Sequence, residues 1–118
     1  MRSTAAKFLK DFSDVVADIA VTDAAGATHR LAAGVELAVE RVRRVGEIGG
    51  TLLFIGNGAN AGMASHMSLD FWKNAGVRAL AFNDPALLTA VGNDCGFENL
   101  FAKPIAAFAR EGDLEVID

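Results

Sequence analysis

The sequence predicts an α/β protein in which N-terminal helices precede the first part of a doubly wound parallel sheet. Three observations carry that reading. Two amphipathic helical stripes come first; a glycine-bounded apolar run, Thr51-Leu52-Leu53-Phe54-Ile55, follows; strand-like and helix-like segments then alternate to Asp118. A short run that is apolar at nearly every position suits a strand buried on both faces, as in parallel sheets covered by helices. Alternating strand and helix selects the α/β class with right-handed connections.

The elements follow in order. Phe8, Phe12, Val15 and Ile19 recur at three- and four-residue steps, while Lys7, Lys10, Asp11, Asp14 and Asp18 fall mostly elsewhere. That is one apolar stripe of a helix. Thr22-Asp23-Ala24-Ala25-Gly26 reads as a break. A second stripe, Leu31, Val35, Ala38, Val42 and Val45, stops at Gly49-Gly50, where glycine ends a helix at little steric cost. After the strand at 51–55, Gly56-Asn57-Gly58 turns the chain, and Ala59 to Trp72 reads as a helix with Met63, Met67 and Phe71 in step. Lys73-Asn74-Ala75-Gly76 ends it. Val77 to Phe82 reads as a second strand. Asp84 as N-cap and Pro85 at the first helical position open a short helix over Ala86 to Val91. Gly92 to Gly96 reads as a loop, Phe97 to Arg110 as helical with Pro104 starting or bending a piece of it, and Gly112 to Asp118 as a turn into a third strand. The organisation expected is a helical segment over 1–48 and a sheet-forming segment over 49–118.

Composition narrows the function classes. Of 118 residues, 52% are apolar and 22% charged, the balance of a folded globular chain and too apolar for disorder. The net charge is −4 and there is no tyrosine, so the basic footprint and aromatic interleaving of a nucleic-acid binder are missing. The densest basic run, Arg41, Arg43 and Arg44, reads as the solvated face of the second helix. No stretch approaches the roughly 18 uncharged apolar residues of a membrane span, and no secretory signal is read at the N-terminus. One cysteine, Cys95, excludes an internal disulfide and fits a cytoplasmic setting. Without a His-containing triad around it, Cys95 reads as a small apolar residue.

Three motifs could carry chemistry. The strand, the turn Gly56-Asn57-Gly58-Ala59-Asn60 and the following helix form one unit. Ligands of open α/β sheets sit beyond the C-terminal ends of strands, and a helix N-terminus there suits a phosphate. The spacing is neither GxGxxG nor a P-loop, so a purely structural turn is the other reading. His66 and Asp70 stand four apart and share a helix face, from which both could reach one divalent metal such as zinc. Spacing alone fits an ordinary His–Asp pair at least as well. Asn93-Asp94, expected in a glycine-flanked loop, could bond sugar hydroxyls or hold a base; turn chemistry accounts for the same residues. Trp72 and the Met63/Met67 pair read as core or subunit contact.

Taken together these segments resemble a known family. Phe54-Ile55-Gly56-Asn57-Gly58-Ala59-Asn60, Ala64-Ser65-His66-Met67-Ser68-Leu69-Asp70, Ala79-Leu80-Ala81-Phe82-Asn83-Asp84 and Val91-Gly92-Asn93-Asp94-Cys95-Gly96-Phe97-Glu98-Asn99-Leu100-Phe101 are similar, in order, to the SIS-domain (sugar isomerase) phosphoheptose isomerases. Arg110-Glu111-Gly112-Asp113 resembles the segment before that family's central strand. The resemblance runs from about Gly49 onward, so it covers the N-terminal portion of such a domain; the first two helices match only in pattern.

The resemblance implies a flavodoxin-like doubly wound sandwich, an aldose–ketose isomerase of sedoheptulose 7-phosphate, a tetramer with sites between subunits, and zinc. By position it implies substrate binding by Asn57, Gly58, Ala59 and Asn60, a metal ligand in His66, a metal-binding and proton-shuttling carboxylate in Asp70, and a second substrate-binding pair in Asn93 and Asp94. Three positions depart from the family pattern: Asp70 stands for a glutamate, Asn60 for a serine and Ala59 for a glycine. The family's second phosphate loop and its remaining metal ligands, a Gln and a His, would lie after the last strand, so one copy of this chain is expected to lack a complete zinc site and to be inactive alone. A non-catalytic phosphosugar-binding regulatory module and an inactive truncated product are the alternatives.

Overall fold

The computed structural model describes residues 2–117, and these fall into two compact units that divide between Arg41 and Val42.

The first unit opens with helix α1, Arg2–Ala17. Its stripe of Phe8, Phe12 and Val15 forms as the periodicity requires, yet these side chains remain exposed. Lys7–Asp11 and Lys10–Asp14 pair along the helix at i,i+4. Such exposed pairs contribute a few tenths of a kcal/mol. The helix stops short of Ile19 because the segment read as a break is a hairpin. Strands β1 (Ala20–Thr22) and β2 (Thr28–Arg30) pair antiparallel, with Val21 opposite His29. Asp23 builds the turn: its Oδ1 accepts from the Ala25 and Ala27 N–H groups at 2.9 Å each, and its Oδ2 lies 2.8 Å from His29 Nε2. The hydrogen bond from His29, more than the backbone donors, holds the Asp23 carboxyl below the usual carboxylate range. Helix α2 (Leu31–Glu47) starts directly after β2. Buried Gly34 lets α2 approach β1 closely, since a Cβ there would stand 2.4 Å from a Val21 methyl.

The second unit takes the last turns of α2 and the sheet. Strand β3 (Thr51–Ile55) is buried at all five positions, and Leu52 and Leu53 are fully enclosed. It is the middle strand of three, with β4 (Arg78–Ala81) and β5 (Leu114–Ile117) parallel on either side. Phe54 sits opposite Ala81 on one side and Val116 on the other. The core gathers Val45, Leu52, Phe54, Ala64 and Ala79, with Phe71, Leu114 and Val116 packed against it. Asp113 clamps the sheet's lower end: its Oδ1 accepts from Thr51 N–H at 2.7 Å and its Oδ2 from Arg110 N–H at 2.8 Å.

Helix α3 (Ala59–Asp70) covers β3 and β4. It widens into a π-helical turn, Phe71–Ala75, where the expected helix was to run on regularly to Trp72. The Phe71 carbonyl accepts from both Gly76 and Val77, and the Phe71 ring stacks on Phe54 with centroids 5.5 Å apart. Helix α4 (Pro85–Cys95) starts as the sequence requires, with Asp84 Oδ1 accepting from Leu87 N–H at 2.9 Å and Pro85 inside the first turn. It runs one turn further than expected. Gly92 is tolerated within it and Gly96, at φ 91°, ends it, so 92–95 are helix rather than loop. The stretch expected to be one helix over 97–110 divides into a single 3₁₀ turn, Phe97–Asn99, and helix α5, Ala102–Phe108, which holds Pro104 in its first turn. That position needs no N–H partner within the helix, which is why proline is accepted there.

Candidate functional site

The site is built where β3 ends. Gly56-Asn57-Gly58 carries the chain from the strand to the first turn of α3. Two glycines are required there for different reasons. A Cβ on Gly56 would lie 2.3 Å from the Asn60 carbonyl oxygen. Gly58 has φ 60° and ψ −125°, a region open essentially to glycine alone. Asn60 N–H and Ala61 N–H bond back to the Asn57 and Gly58 carbonyls at 3.1 and 3.2 Å. No side chain caps α3, so the start of this 12-residue helix keeps its partial positive charge for a ligand. Ala59 is the first helical residue, and among the described residues no non-glycine residue has positive φ. Its methyl therefore introduces no backbone strain.

Asn57 and Gly58 line a cavity of about 570 Å³ between the turn and α4. The volume is within the usual range for small-molecule sites. Thr89 and Glu98 face it with Leu88 and Phe101. Those four residues were not singled out from the sequence: one hydroxyl, one carboxylate and two apolar side chains carry no spacing signal, and only the packing of α4 beside the turn gathers them. The Thr89 hydroxyl also donates to the Pro85 carbonyl at 2.8 Å.

Ala59, Asn60, His66, Asp70, Asn93 and Asp94 are not in the lining of this cavity. His66 and Asp70 do share a face of α3, with His66 Nε2 3.3 Å from Asp70 Oδ2. His66 is well exposed and Asp70 partly so. These are a nitrogen and an oxygen donor within reach of one cation, so their chemistry fits two of the four ligands of a zinc site. No group of three or more His, Cys, Asp or Glu residues suited to a metal occurs among the described residues. His29 is engaged by Asp23. Asn93 and Asp94 occupy the last turn of α4, both exposed, and Asn93 Nδ2 donates to Asp94 Oδ1 at 2.8 Å. Cys95 is exposed, which departs from its reading as a buried apolar residue.

Asn83, after β4, was also missed. Its Nδ2 donates to the Ala61 carbonyl at 2.6 Å and to Ser65 Oγ at 3.0 Å, which fixes α3 against the end of β4. Its Oδ1 is buried without a partner.

Known proteins are similar to this chain in sequence and fold. A phosphoheptose isomerase from Geotalea daltonii is 39% identical over 93 residues, covering 74% of this chain and 46% of the relative. One from Aneurinibacillus thermoaerophilus is 32% identical over 108 residues, covering 86% of this chain and 54% of the relative. The solved phosphoheptose isomerase from Neisseria gonorrhoeae superposes with a TM-score of 0.76 at 28% identity, over 98% of this chain and 58% of that one. In sequence and fold the chain is similar to phosphoheptose isomerases of the SIS type, over part of their length.

A second solved phosphoheptose isomerase, from Francisella tularensis, matches with a TM-score of 0.65 at 33% identity over 70% of this chain and 45% of its own. No family model matches the sequence. The chain spans about half the length of the curated phosphoheptose isomerases it matches. Among the described residues no helix is long and apolar enough to cross a membrane.

Proposed function

We propose that the chain contributes part of a phosphosugar site for aldose–ketose isomerisation of the sedoheptulose 7-phosphate type. The observation that carries this is the His66–Asp70 pair, 3.3 Å apart on the helix that begins at the open glycine turn, in a chain similar to phosphoheptose isomerases over part of their length. The turn Asn57-Gly58-Ala59-Asn60 offers to the phosphosugar its backbone N–H groups ahead of Asn60, whose own N–H bonds to the Asn57 carbonyl, and the side-chain amides of Asn57 and Asn60. Asn93 and Asp94 offer a donor and an acceptor to sugar hydroxyls once their mutual bond opens.

Moving a carbonyl between neighbouring carbons requires a base that removes a proton beside the carbonyl and returns it to the adjacent carbon through an enediol. Asp70 is the carboxylate proposed for that transfer. His66 and Asp70 would hold two coordination positions of zinc, and the chemistry a bound zinc supplies is Lewis-acid polarisation of the carbonyl. No third His, Cys, Asp or Glu joins His66 and Asp70 in a metal-binding group among the described residues, so we read the 118-residue chain alone as inactive and the working form as a cytoplasmic homo-oligomer, part of a longer or assembled protein. Because only two candidate ligands meet, a phosphosugar-binding module without turnover is the second reading.

The test has two parts. Sedoheptulose 7-phosphate added to the labelled chain should shift the amide resonances of Gly56 to Asn60 and of Asn93 and Asp94. Unmoved resonances at millimolar ligand refute the site. An isomerase assay of the same chain with zinc should show no turnover, and measurable turnover would refute the statement that it is inactive alone.

A further inference from the structure

We infer that Asn74 is a positioning residue for Asp70, holding the carboxylate so that one oxygen stays free toward His66 and the reacting carbon. This rests on the proposed role of Asp70 as the proton carrier.

The geometry divides the two oxygens of Asp70 between different partners. Oδ1 accepts from Asn74 Nδ2 at 3.1 Å, and Oδ2 faces His66 Nε2 at 3.3 Å. His66, Asp70 and Asn74 therefore form a line along one face of the helix, with the carboxylate in the middle. Asp70 is the last residue of α3, and the π-helical turn that carries Asn74 begins at the next residue. That turn is not a frayed end. Its first residue, Phe71, packs against the core and stacks on Phe54 of the central strand, and the Phe71 carbonyl closes the turn onto Gly76 and Val77. The backbone under Asn74 is thus anchored to the sheet that also anchors α3. Single π-helical turns of this kind recur at functional sites because they re-aim a side chain without ending the helix.

The chemical consequence concerns orientation. An aspartate at a helix end, half-exposed, would otherwise sample several χ1 rotamers, and freezing it would cost free energy each time substrate bound. A donor on Oδ1 removes that freedom in advance and selects Oδ2 as the oxygen that accepts the proton. Misplacement by about 1 Å can cost roughly 100-fold in rate, so a short carboxylate has more need of such a partner than a long one. Asn74 is also neutral and cannot compete for the proton. A lysine at this position would pair with the carboxylate by charge and lower its basicity.

The experiment is nuclear magnetic resonance on the 118-residue chain, labelled with ¹³C and ¹⁵N. Three-bond couplings from Asp70 Cγ to its backbone nitrogen and carbonyl carbon report the χ1 population. In the wild type they should show one rotamer. Asn74→Ala and the isosteric Asn74→Asp, which lacks the amide donor, should give rotamer-averaged couplings. Asn74→Gln, which keeps the donor, should retain most of the single-rotamer pattern. Asn74 is exposed, so loss of folding in all three variants is not expected, and amide dispersion checks it. Identical Asp70 couplings in wild type and Asn74→Ala overturn the inference. A zinc titration followed at the His66 ring nitrogens is the separate readout for the metal-site reading: no shift there sinks zinc binding, while the couplings still decide the role of Asn74.

Discussion

Replacing Gly56 by alanine tests the turn most directly. The new methyl carbon would sit 2.3 Å from the Asn60 carbonyl oxygen and 2.4 Å from its carbon, against ordinary contact at 3.4 Å or more. The overlap of about 1 Å is with backbone inside the first turn of α3, so no side chain can rotate away from it. Either the end of β3 or the start of α3 must move. Overpacking of that kind costs about 1–3 kcal/mol, and the rigidity of both partners sets the expectation near 3 kcal/mol. Two neighbouring glycines provide the contrast. A methyl at Gly58 would meet nothing within 4 Å, but the residue holds a glycine-only conformation, so Gly58→Ala should cost about 1–3 kcal/mol through strain alone. Gly62 lies in α3 with open space around it, and Gly62→Ala should stabilise by about 0.5–1 kcal/mol. Urea unfolding followed by Trp72, the single tryptophan, reads all three midpoints. Gly56→Ala should also lose the sugar-phosphate shifts, because its turn has moved. A Gly56→Ala midpoint equal to wild type, or a Gly62→Ala midpoint below it, would refute the reasoning.

Two further outcomes are expected. The Asp23 carboxyl is held below its ordinary pKa, chiefly by the hydrogen bond from His29. Its contribution to the hairpin is therefore full above the unfolded carboxyl value of about 3.9 and is lost as pH falls through the lower folded value. Asp23→Asn should flatten hairpin stability, read from hydrogen exchange at Val21 and His29, over the window below pH ~4, and an unchanged acid profile would count against the pair. Phe8 and Phe12 are 66% and 60% exposed on one stripe of α1, so the chain should self-associate at tens of micromolar and the double variant Phe8→Glu, Phe12→Glu should shift it toward monomer in light scattering. A wild-type monomer under those conditions would remove the basis for an oligomer built on this face.

The legibility of the site varied residue by residue. Asp84 and Pro85 announced the start of α4 because capping is a local event, decided by an N–H and a side chain three residues apart. The end of α4 was misread because glycine and Asn-Asp favour loops on propensity, whereas Gly92 sits beside Leu100 in the second unit, and tertiary packing routinely overrides propensity. The β1–β2 hairpin was illegible as strand because three residues are too short to show a period of two; its evidence is the hydrogen-bonding of Asp23, which looked like a simple break. His66 and Asp70 were legible as a pair because four residues is one turn of helix. Asn74 was legible only as a helix end, since its contact depends on a π-helical turn set by Phe71 against Phe54.

What the sequence determined by itself was therefore everything carried by short-range periodicity and motif: a nearly all-apolar strand at 51–55, helices around it, a glycine turn at its end, and a resemblance to phosphoheptose isomerases. What only the tertiary structure decided was which distant residues share space. Asn57 meets Thr89 and Glu98 in one cavity, Asp113 closes the start of β3 from 62 residues away, and Asn83 fixes α3 from the end of β4. Those contacts form because parallel strands bring like ends together, C-terminal ends at the turn and N-terminal ends at Asp113, and parallel pairing requires long crossovers whose partners leave no imprint on local pattern.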